Sequence, residues 1–299
     1  MPSFLLYGLT VLIWGTSWYA ITLQTGVVPV EVSIAYRFLL AASMLLLFCF
    51  ATGRRLSYRP RDHLFMAAQG ICLFSLNYML FYRASFDMPS GLLAICFSTI
   101  TLMNIGNGAL FFRSSVAPRT FLGAVLGLGG LALVFWPEIA GFGFRTRAAT
   151  GLALSVVATY LASLGNMVSV RHKCAGIPVI ESNAIGMLYG ALCSLAVSAA
   201  EGLPLAYDGR WTYSAALIYL ALFASVIGFR CFLTLVQRIG ADKAAYSSVL
   251  FPVVALAVST VYEGYRWRPL AGLGVALVLL GNVLALMRWP LLQRKPVPT

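Results

Sequence analysis

Ten stretches of about twenty apolar residues, separated by short polar or basic breaks, occupy almost the whole 299-residue chain. The hydrocarbon core of a bilayer is about 30 Å thick, and about 20 helical residues cross it. Only helices and closed barrels satisfy their backbone polar groups there, and the runs lack the alternation of barrel strands. The sequence therefore predicts an all-α integral membrane protein with ten transmembrane helices. The predicted spans lie near residues 4–23, 31–52, 64–85, 89–112, 119–137, 150–170, 178–200, 212–236, 243–263 and 269–289.

The basic charge of the chain indicates how these helices are oriented. The sequence carries 21 Lys and Arg against 9 Asp and Glu, a formal net charge of +12. In a soluble protein such an excess would favour nucleic acid as a partner. Here most basic residues fall on one side when both termini are cytoplasmic, which satisfies the positive-inside rule. The charge is therefore a topology signal, and we expect the lipid bilayer, with no nucleic acid, as the partner.

Residues that could hold a cofactor or perform catalysis are scattered along the chain. The 6 cysteines lie singly and the 2 histidines are far from them, so no metal-ligand spacing is present. Phosphate-binding loops and hydrolase motifs are absent as well. All 9 acidic residues lie at span ends or in loops, which disfavours acid–base catalysis and proton coupling inside the membrane. We predict no cofactor and no enzymatic activity, with an integral membrane enzyme or a passive channel as alternatives.

The ten runs divide into two sets of five around a central connection. This division predicts a first repeat over residues 1–137, a connecting loop over 138–149, a second repeat over 150–290 and a cytoplasmic tail over 291–299. An odd number of helices in each half places the two copies in opposite membrane orientations. Inverted repeats of this kind have their substrate site near the bilayer midplane and permit alternating access.

Interruptions in the fourth and ninth spans mark candidate hinges. Pro252 lies in the middle of the ninth span, where it removes a backbone hydrogen bond and bends the helix. The fourth span carries a polar, glycine-containing run from Asn104 to Gly108. Paired interruptions in two halves are the best sequence indication of a transporter site, whereas close helix packing is the alternative for small residues. The predicted hinge residues are Gly106, Gly108 and Pro252.

Polar and aromatic side chains inside the spans define a candidate substrate site. Rings beside hydroxyl and amide groups provide the mixed surface that an amphipathic organic solute requires. Arg37 and Arg230 are the charges well inside spans, and each is either structural or substrate-binding. The predicted substrate-binding residues are Trp14, Ser17, Trp18, Asn77, Tyr78, Tyr82, Ser98, Thr101, Tyr160, Ser163, Arg230, Tyr246, Ser247 and Phe251.

Several short motifs together resemble a known transporter family. They are Trp14-Gly15-Thr16-Ser17, Arg37-Phe38, Phe81-Tyr82-Arg83-Ala84, Pro89-Ser90-Gly91-Leu92-Leu93-Ala94, and Ser248-Val249-Leu250-Phe251-Pro252-Val253 ahead of Glu263. Over residues 4–289 the chain is similar to the EamA transporters of the drug/metabolite transporter superfamily, and most to YddG-type aromatic amino-acid exporters. The resemblance implies a ten-helix inverted-repeat fold and export of small metabolites, often amino acids. The first half departs from the pattern, because Thr99 stands where Pro252 aligns and Glu263 has no counterpart.

These observations together predict an exporter of the bacterial inner membrane with both termini in the cytoplasm. Its small-molecule substrate is an amino acid, aromatic or of another kind, or a related metabolite. The central site lies between the two repeats, and transport proceeds by alternating access. A drug or sugar-derivative permease of the same superfamily is the alternative. No obligatory protein partner is evident from the sequence.

Overall fold

The structure, a computed structural model, describes residues 1–113, 118–134, 136, 147–239 and 247–286. Within these ranges the regular secondary structure is helical, with no strand. Most of the predicted connecting loop (138–146) and the predicted tail (291–299) lie outside the described residues. The helices, in chain order, are α1 (Ser3–Thr22), α2 (Val30–Ala51), α3 (Pro60–Ile71), α4 (Asn77–Ala84), α5 (Ser90–Ser98), α6 (Ile100–Phe112), α7 (Pro118–Val134), α8 (Arg147–Cys174), α9 (Val179–Ala200), α10 (Trp211–Ile218), α11 (Gly228–Ile239), α12 (Ser247–Tyr262) and α13 (Pro269–Leu286).

The length and composition of these helices are those of membrane spans. Seven stretches are long and apolar enough to cross a bilayer: Ser3–Thr22, Val30–Ala51, Pro60–Ala84, Ser90–Phe112, Arg147–Cys174, Val179–Ala200 and Trp211–Phe232. Three shorter apolar helices accompany them: Pro118–Val134, Ser247–Tyr262 and Pro269–Leu284. The prediction of an all-helical membrane protein is therefore confirmed for the described part of the chain, while the arrangement as ten spans stays a prediction.

Two of the long helices contain a wide π-helical turn. Cys72–Leu76 joins α3 to α4, and Tyr219–Ile227 joins α10 to α11. A π turn shifts the hydrogen bonds of the backbone by one residue and frees polar groups, which is why such turns concentrate at functional sites. Both turns lie well inside their helices and face the same interior region of the bundle.

Proline and glycine set the ends of several helices. Pro118 and Pro269 are the first residues of α7 and α13, where a missing N–H has no cost. Gly53 and Gly202 follow α2 and α9 with φ of 63° and 65°, a backbone conformation that side chains disfavour. The same device therefore ends both helices.

Glycines bring α7 and α13 into close contact. A Cβ atom added to Gly130 would lie 2.5 Å from the carbonyl oxygen of Gly274, and the reverse distance is also 2.5 Å. A Cβ atom added to Gly281 would likewise lie 2.5 Å from the carbonyl oxygen of Gly123. Close backbone approach of this kind replaces the hydrophobic effect as the source of helix association in lipid. Elsewhere α2 packs on α9, α1 on α12 and α8 on α6.

The interruption of the fourth span lies at Thr99. Helix α5 ends at Ser98 and α6 begins at Ile100. The Oγ atoms of Ser98 and Thr99 donate to the carbonyl oxygens three residues earlier, each at 2.7 Å, and so compete with the regular helix bonds. Helix α6 then continues through Gly106 and Gly108. The helix is continuous at these two glycines, the interruption lies earlier at Thr99, and their role as hinges stays a prediction.

Candidate functional site

A cavity of about 400 Å³ lies in the middle of the helix bundle, and we call it the central cavity. Its volume is in the range of small-molecule sites, which are concave and mostly apolar. Residues of α1, α2, α4, α5, α6, α8, α11 and α12 and of both π-helical turns line it. The glycine-packed helices α7 and α13 contribute no lining residue among those described. The aromatic members of the wall are Trp14, Trp18, Phe74, Tyr78, Phe81, Phe97, Phe229, Phe232 and Phe251.

The rings form two groups along the cavity wall. Trp18, Phe81 and Phe97 have centroids 5.0 to 5.7 Å apart in tilted and edge-to-face arrangements. Trp14 lies 5.5 Å from Phe229 and 5.1 Å from Phe232. These are the spacings at which aromatic pairs attract one another beyond simple burial. The rings of the wall therefore pack against one another as well as lining the cavity.

One buried cation, Arg37, faces the central cavity. Its side chain is only 3% exposed. The guanidinium lies 4.5 Å from the centroid of the Tyr78 ring, Nη2 donates to the Tyr78 hydroxyl at 3.4 Å, and Nε donates to Ser225 Oγ at 3.4 Å. The ion pairs among the described residues do not include Arg37. The cavity therefore contains a positive charge that the described protein leaves without a counter-ion.

The π-helical turns supply polar groups to this wall. Trp14 Nε1 donates to the carbonyl oxygen of Ala224 at 3.3 Å, inside the turn Tyr219–Ile227. In the same turn Ser225 Oγ donates to the carbonyl oxygen of Leu220, five residues earlier, at 2.9 Å. Asn77 directly follows the other turn and also lines the cavity. The two turns thus bring backbone and side-chain polar groups to the region around Arg37.

Amide and hydroxyl pairs connect the remaining cavity helices. Asn166 Nδ2 donates to Asn104 Oδ1 at 3.4 Å, which joins α8 to α6 at the wall. Thr101 Oγ1 lies 3.2 Å from Ser248 Oγ, which joins α6 to α12. Hydrogen bonds between apolar helices fix their separation and rotation. These pairs therefore fix the spacing of the helices around the cavity.

Eight of the predicted substrate-binding residues meet at the central cavity. They are Trp14, Ser17, Trp18, Asn77, Tyr78, Thr101, Ser247 and Phe251. The three on α1 share a face because their spacing of three and four residues matches the helical period. Pro252, the predicted hinge, is buried beside Phe251 inside α12. The structure thus brings side chains that are far apart in the sequence, from Trp14 to Phe251, to one cavity.

Five other predicted residues lie away from the central cavity. Tyr82 is buried and donates to Gln24 Oε1 at 2.6 Å, whereas Ser98 bonds to its own helix backbone. Ser163 accepts from Asn107 Nδ2 at 2.9 Å behind the wall.

Tyr160 is 44% exposed on the surface of the bundle. Arg230 lines a second cavity of about 230 Å³, with its guanidinium 5.5 Å from the centroid of the Phe48 ring. None of these five side chains is among the described lining residues of the central cavity. Tyr246, also predicted, lies outside the described residues.

Sequence reasoning missed several members of the wall. Phe229 and Phe232 are three residues apart on α11 and therefore lie on one face, a spacing that could have indicated them. Phe97 and Asn104 lie on the two sides of the break at Thr99, and Asn104 was interpreted as part of a hinge. The role of Arg37 was left open between structure and binding, and the structure places it in the cavity wall.

Several charged groups near the helix ends are paired. Glu263 Oε2 accepts from the backbone N–H of Ser90 at 3.0 Å and from its hydroxyl at 2.6 Å, which joins the end of α12 to the start of α5. In the loop before α10, hydrogen bonds from the Arg210 side chain and backbone hold the pKa of the Asp208 carboxyl below its ordinary value. No group of three or more His, Cys, Asp or Glu side chains within the described ranges is placed to hold a metal.

Comparison with known proteins gives a consistent result. The family model described as the EamA-like transporter family matches residues 1–136 and 149–287. Protein PagO of Salmonella typhimurium is 23% identical, covering 95% of this chain and 92% of that protein. The uncharacterized inner membrane transporter YedA of Escherichia coli K12 is 25% identical over 96% of this chain and 91% of its own length.

Two further comparisons concern a named activity and a solved structure. A probable amino-acid metabolite efflux pump of Escherichia coli K12 is 26% identical over 94% of each chain. A solved crystal structure superimposes with a TM-score of 0.68 at 18% identity and covers 95% of this chain and 96% of the other, so the two share a fold. The helices, the central cavity and the match of the family model to both halves agree, and the chain belongs to the EamA-like transporter family.

Proposed function

We propose that this transporter exports amino acids or related small metabolites across the bacterial inner membrane. The observation that carries the proposal is the central cavity, whose 400 Å³ combine aromatic walls with a buried guanidinium. Such a site suits an amphipathic organic solute with an anionic group. The relative named as a probable amino-acid metabolite efflux pump supports this substrate class.

We further propose that transport occurs by alternating access between two inverted repeats, residues 1–137 and 150–290. Matching features in the two halves support this arrangement: each contains a π-helical turn in a long helix, a proline at the start of its last helix and a positive-φ glycine after its second. The contacts α2–α9 and α7–α13 join helices at equivalent positions. Thr99 and Pro252, which interrupt or bend α5–α6 and α12, are the proposed hinges.

The distribution of basic residues and the similar proteins support an orientation and a location for this protein in the membrane. The basic segment after α2, which contains Arg54, Arg55, Arg59 and Arg61, fits a cytoplasmic loop under the positive-inside rule. Both termini are then cytoplasmic if ten spans are present. The relative named as an inner membrane transporter supports the inner membrane as the location.

Counterflow in proteoliposomes tests the proposal directly. Vesicles containing the purified chain are loaded with an unlabelled solute at millimolar concentration, and entry of the same labelled solute is followed. The panel consists of phenylalanine, tryptophan, threonine, a quaternary ammonium drug and a neutral sugar derivative. We expect saturable counterflow with an amino acid and none in protein-free vesicles.

The other outcomes distinguish the alternatives. Counterflow only with the drug or the sugar derivative would support a permease of that class in place of an amino-acid exporter. Flux that rises linearly with concentration, without counterflow, would indicate a channel and contradict alternating access.

A further inference from the structure

The cavity wall formed by α2 and α4 contains a hydrogen-bond donor and an acceptor that the described protein does not use. Arg37 Nη1 and Asn77 Oδ1 have no partner there, although each residue is only 3% exposed. Buried polar atoms are nearly always hydrogen-bonded, and an unpartnered one costs folding free energy. Two such atoms on one cavity wall therefore indicate a ligand that bonds to both.

The orientation of the donor is fixed by the rest of its side chain. Nε and Nη2 of Arg37 bond to Ser225 and Tyr78, and the guanidinium packs against the rings of Tyr78 and Phe38 at 4.5 and 5.0 Å. Tyr82 also lies close to the guanidinium, and Nη1 is the nitrogen without a hydrogen-bond partner among the described residues. Because Tyr78 follows Asn77 directly at the start of α4, the contact with Tyr78 also ties the donor to the element that carries the acceptor.

The chemistry of the two groups defines what they bind. A guanidinium N–H donates strongly to a carboxylate, whereas an amide oxygen accepts from an ammonium group. No Asp or Glu is among the described lining residues, so a solute with a positive charge alone would meet Arg37 without compensation. A solute with a carboxylate alone would leave the amide oxygen without a donor. An α-amino acid carries both groups on one carbon.

We infer that Arg37 Nη1 binds the α-carboxylate, and Asn77 Oδ1 the α-ammonium group, of a zwitterionic amino acid. The inference rests on the proposed function and specifies its substrate class. The two residues recognise the part that all amino acids share. The aromatic wall then contacts the side chain and sets the preference among amino acids.

Binding and transport are measured separately on the full-length protein. Quenching of tryptophan fluorescence, with Trp14 and Trp18 in the wall, reports binding, and counterflow reports transport. The probes are phenylalanine, phenylalanine amide, which lacks the carboxylate, and 3-phenylpropionate, which lacks the ammonium group; threonine and its amide repeat the test with a small side chain. We expect the wild type to bind each amino acid about tenfold or more tightly than its analogues.

Substitutions assign each preference to one residue. Arg37→Gln should abolish the preference for the amino acid over its amide, and Arg37→Lys should retain part of it. Asn77→Ala should abolish the preference over 3-phenylpropionate while keeping the preference over the amide. Arg55→Gln is the matched comparison, because this arginine is exposed outside the central cavity and should leave both ratios unchanged. Size-exclusion profiles check that each variant is folded. If Arg37→Gln does not fold, Asn77→Ala alone tests the inference.

The outcomes separate this inference from the proposed function. A wild type without preference for the zwitterion, or ratios that survive both substitutions, would overturn the inference. Counterflow of a drug or sugar derivative that is insensitive to Arg37→Gln would overturn it and keep the transport function. Preferential binding of the zwitterion without any counterflow would keep the inference and overturn the transport proposal.

Discussion

The α7–α13 contact and the central cavity show two opposite ways of joining helices in this protein. At the contact, the backbones of Gly130 and Gly274 meet so closely that one added methyl group would lie 2.5 Å from a carbonyl oxygen. At the cavity, rings and amides keep the helices apart around about 400 Å³. The first region is closed and apolar, and the second is open and contains a buried charge.

The difference follows from the physics of helix association in lipid. Apolar side chains gain nothing by leaving hydrocarbon for a helix interface, so close packing and hydrogen bonds stabilise the contacts. The α7–α13 pair uses close packing and contributes no described lining residue to the cavity. The cavity helices use side-chain bonds such as Asn166 to Asn104. We therefore expect stability to depend on the glycines and solute handling on the cavity residues.

The largest effect is expected at the glycine contact. Gly130→Ala places a methyl group against backbone atoms of α13 that cannot move aside, and we expect a loss of about 1–3 kcal/mol in stability. Gly129→Ala is the matched control, because no atom lies within 4 Å of its added Cβ. Thermal unfolding in detergent compares the two. Equal transition temperatures for the two variants would show that the α7–α13 contact has room for a methyl group.

Tyr78→Ala should affect solute handling and leave the fold intact. The substitution removes the ring that lies 4.5 Å from the Arg37 guanidinium and the hydroxyl that accepts from it. We expect transport to fall about tenfold, the equivalent of one strong hydrogen bond to a charged group. Tyr160→Ala, at a residue 44% exposed outside the cavity, should retain transport. Similar rates for both variants at equal membrane expression would remove Tyr78 from the site.

Pro252→Ala should change the rate of the cycle more than binding. Proline inside α12 removes a helix bond and bends the helix next to Phe251 in the wall. Restoring the bond stiffens α12, so we expect a few-fold lower maximal counterflow rate with nearly unchanged affinity. Pro269→Ala, at the start of α13, provides the comparison at a site without a bend. An unchanged maximal rate in Pro252→Ala would mean that the bend is structural only.

The smallest effect is expected at Gly106. This glycine is exposed in the uninterrupted helix α6, and nothing lies within 4 Å of a Cβ added to it. Gly106→Ala should therefore leave transport unchanged and slightly favour the helix. Counterflow rates and thermal unfolding measure both quantities. A clear loss of transport would support a hinge at Gly106 in place of the one proposed at Thr99.

Some site residues could be predicted because they depend only on local geometry. Trp14, Ser17 and Trp18 follow the helical period and face the cavity together. Tyr160 and Ser163 obey the same period but lie elsewhere. Their helix has polar residues on several faces, and the sequence does not tell which face meets the bundle and which meets lipid, since both surroundings are apolar.

The sequence by itself determined the helical membrane architecture, the polar and aromatic exceptions within it and the family, because backbone bonding in hydrocarbon leaves few alternatives. Only the tertiary structure decided which of these polar and aromatic side chains lie together at the central cavity. Each π-helical turn adds a residue and rotates the following helix by about 100° relative to a regular one, which no apolar pattern records. These turns and the break at Thr99 set the helix faces around Arg37 and Asn77, and those faces enclose the central cavity.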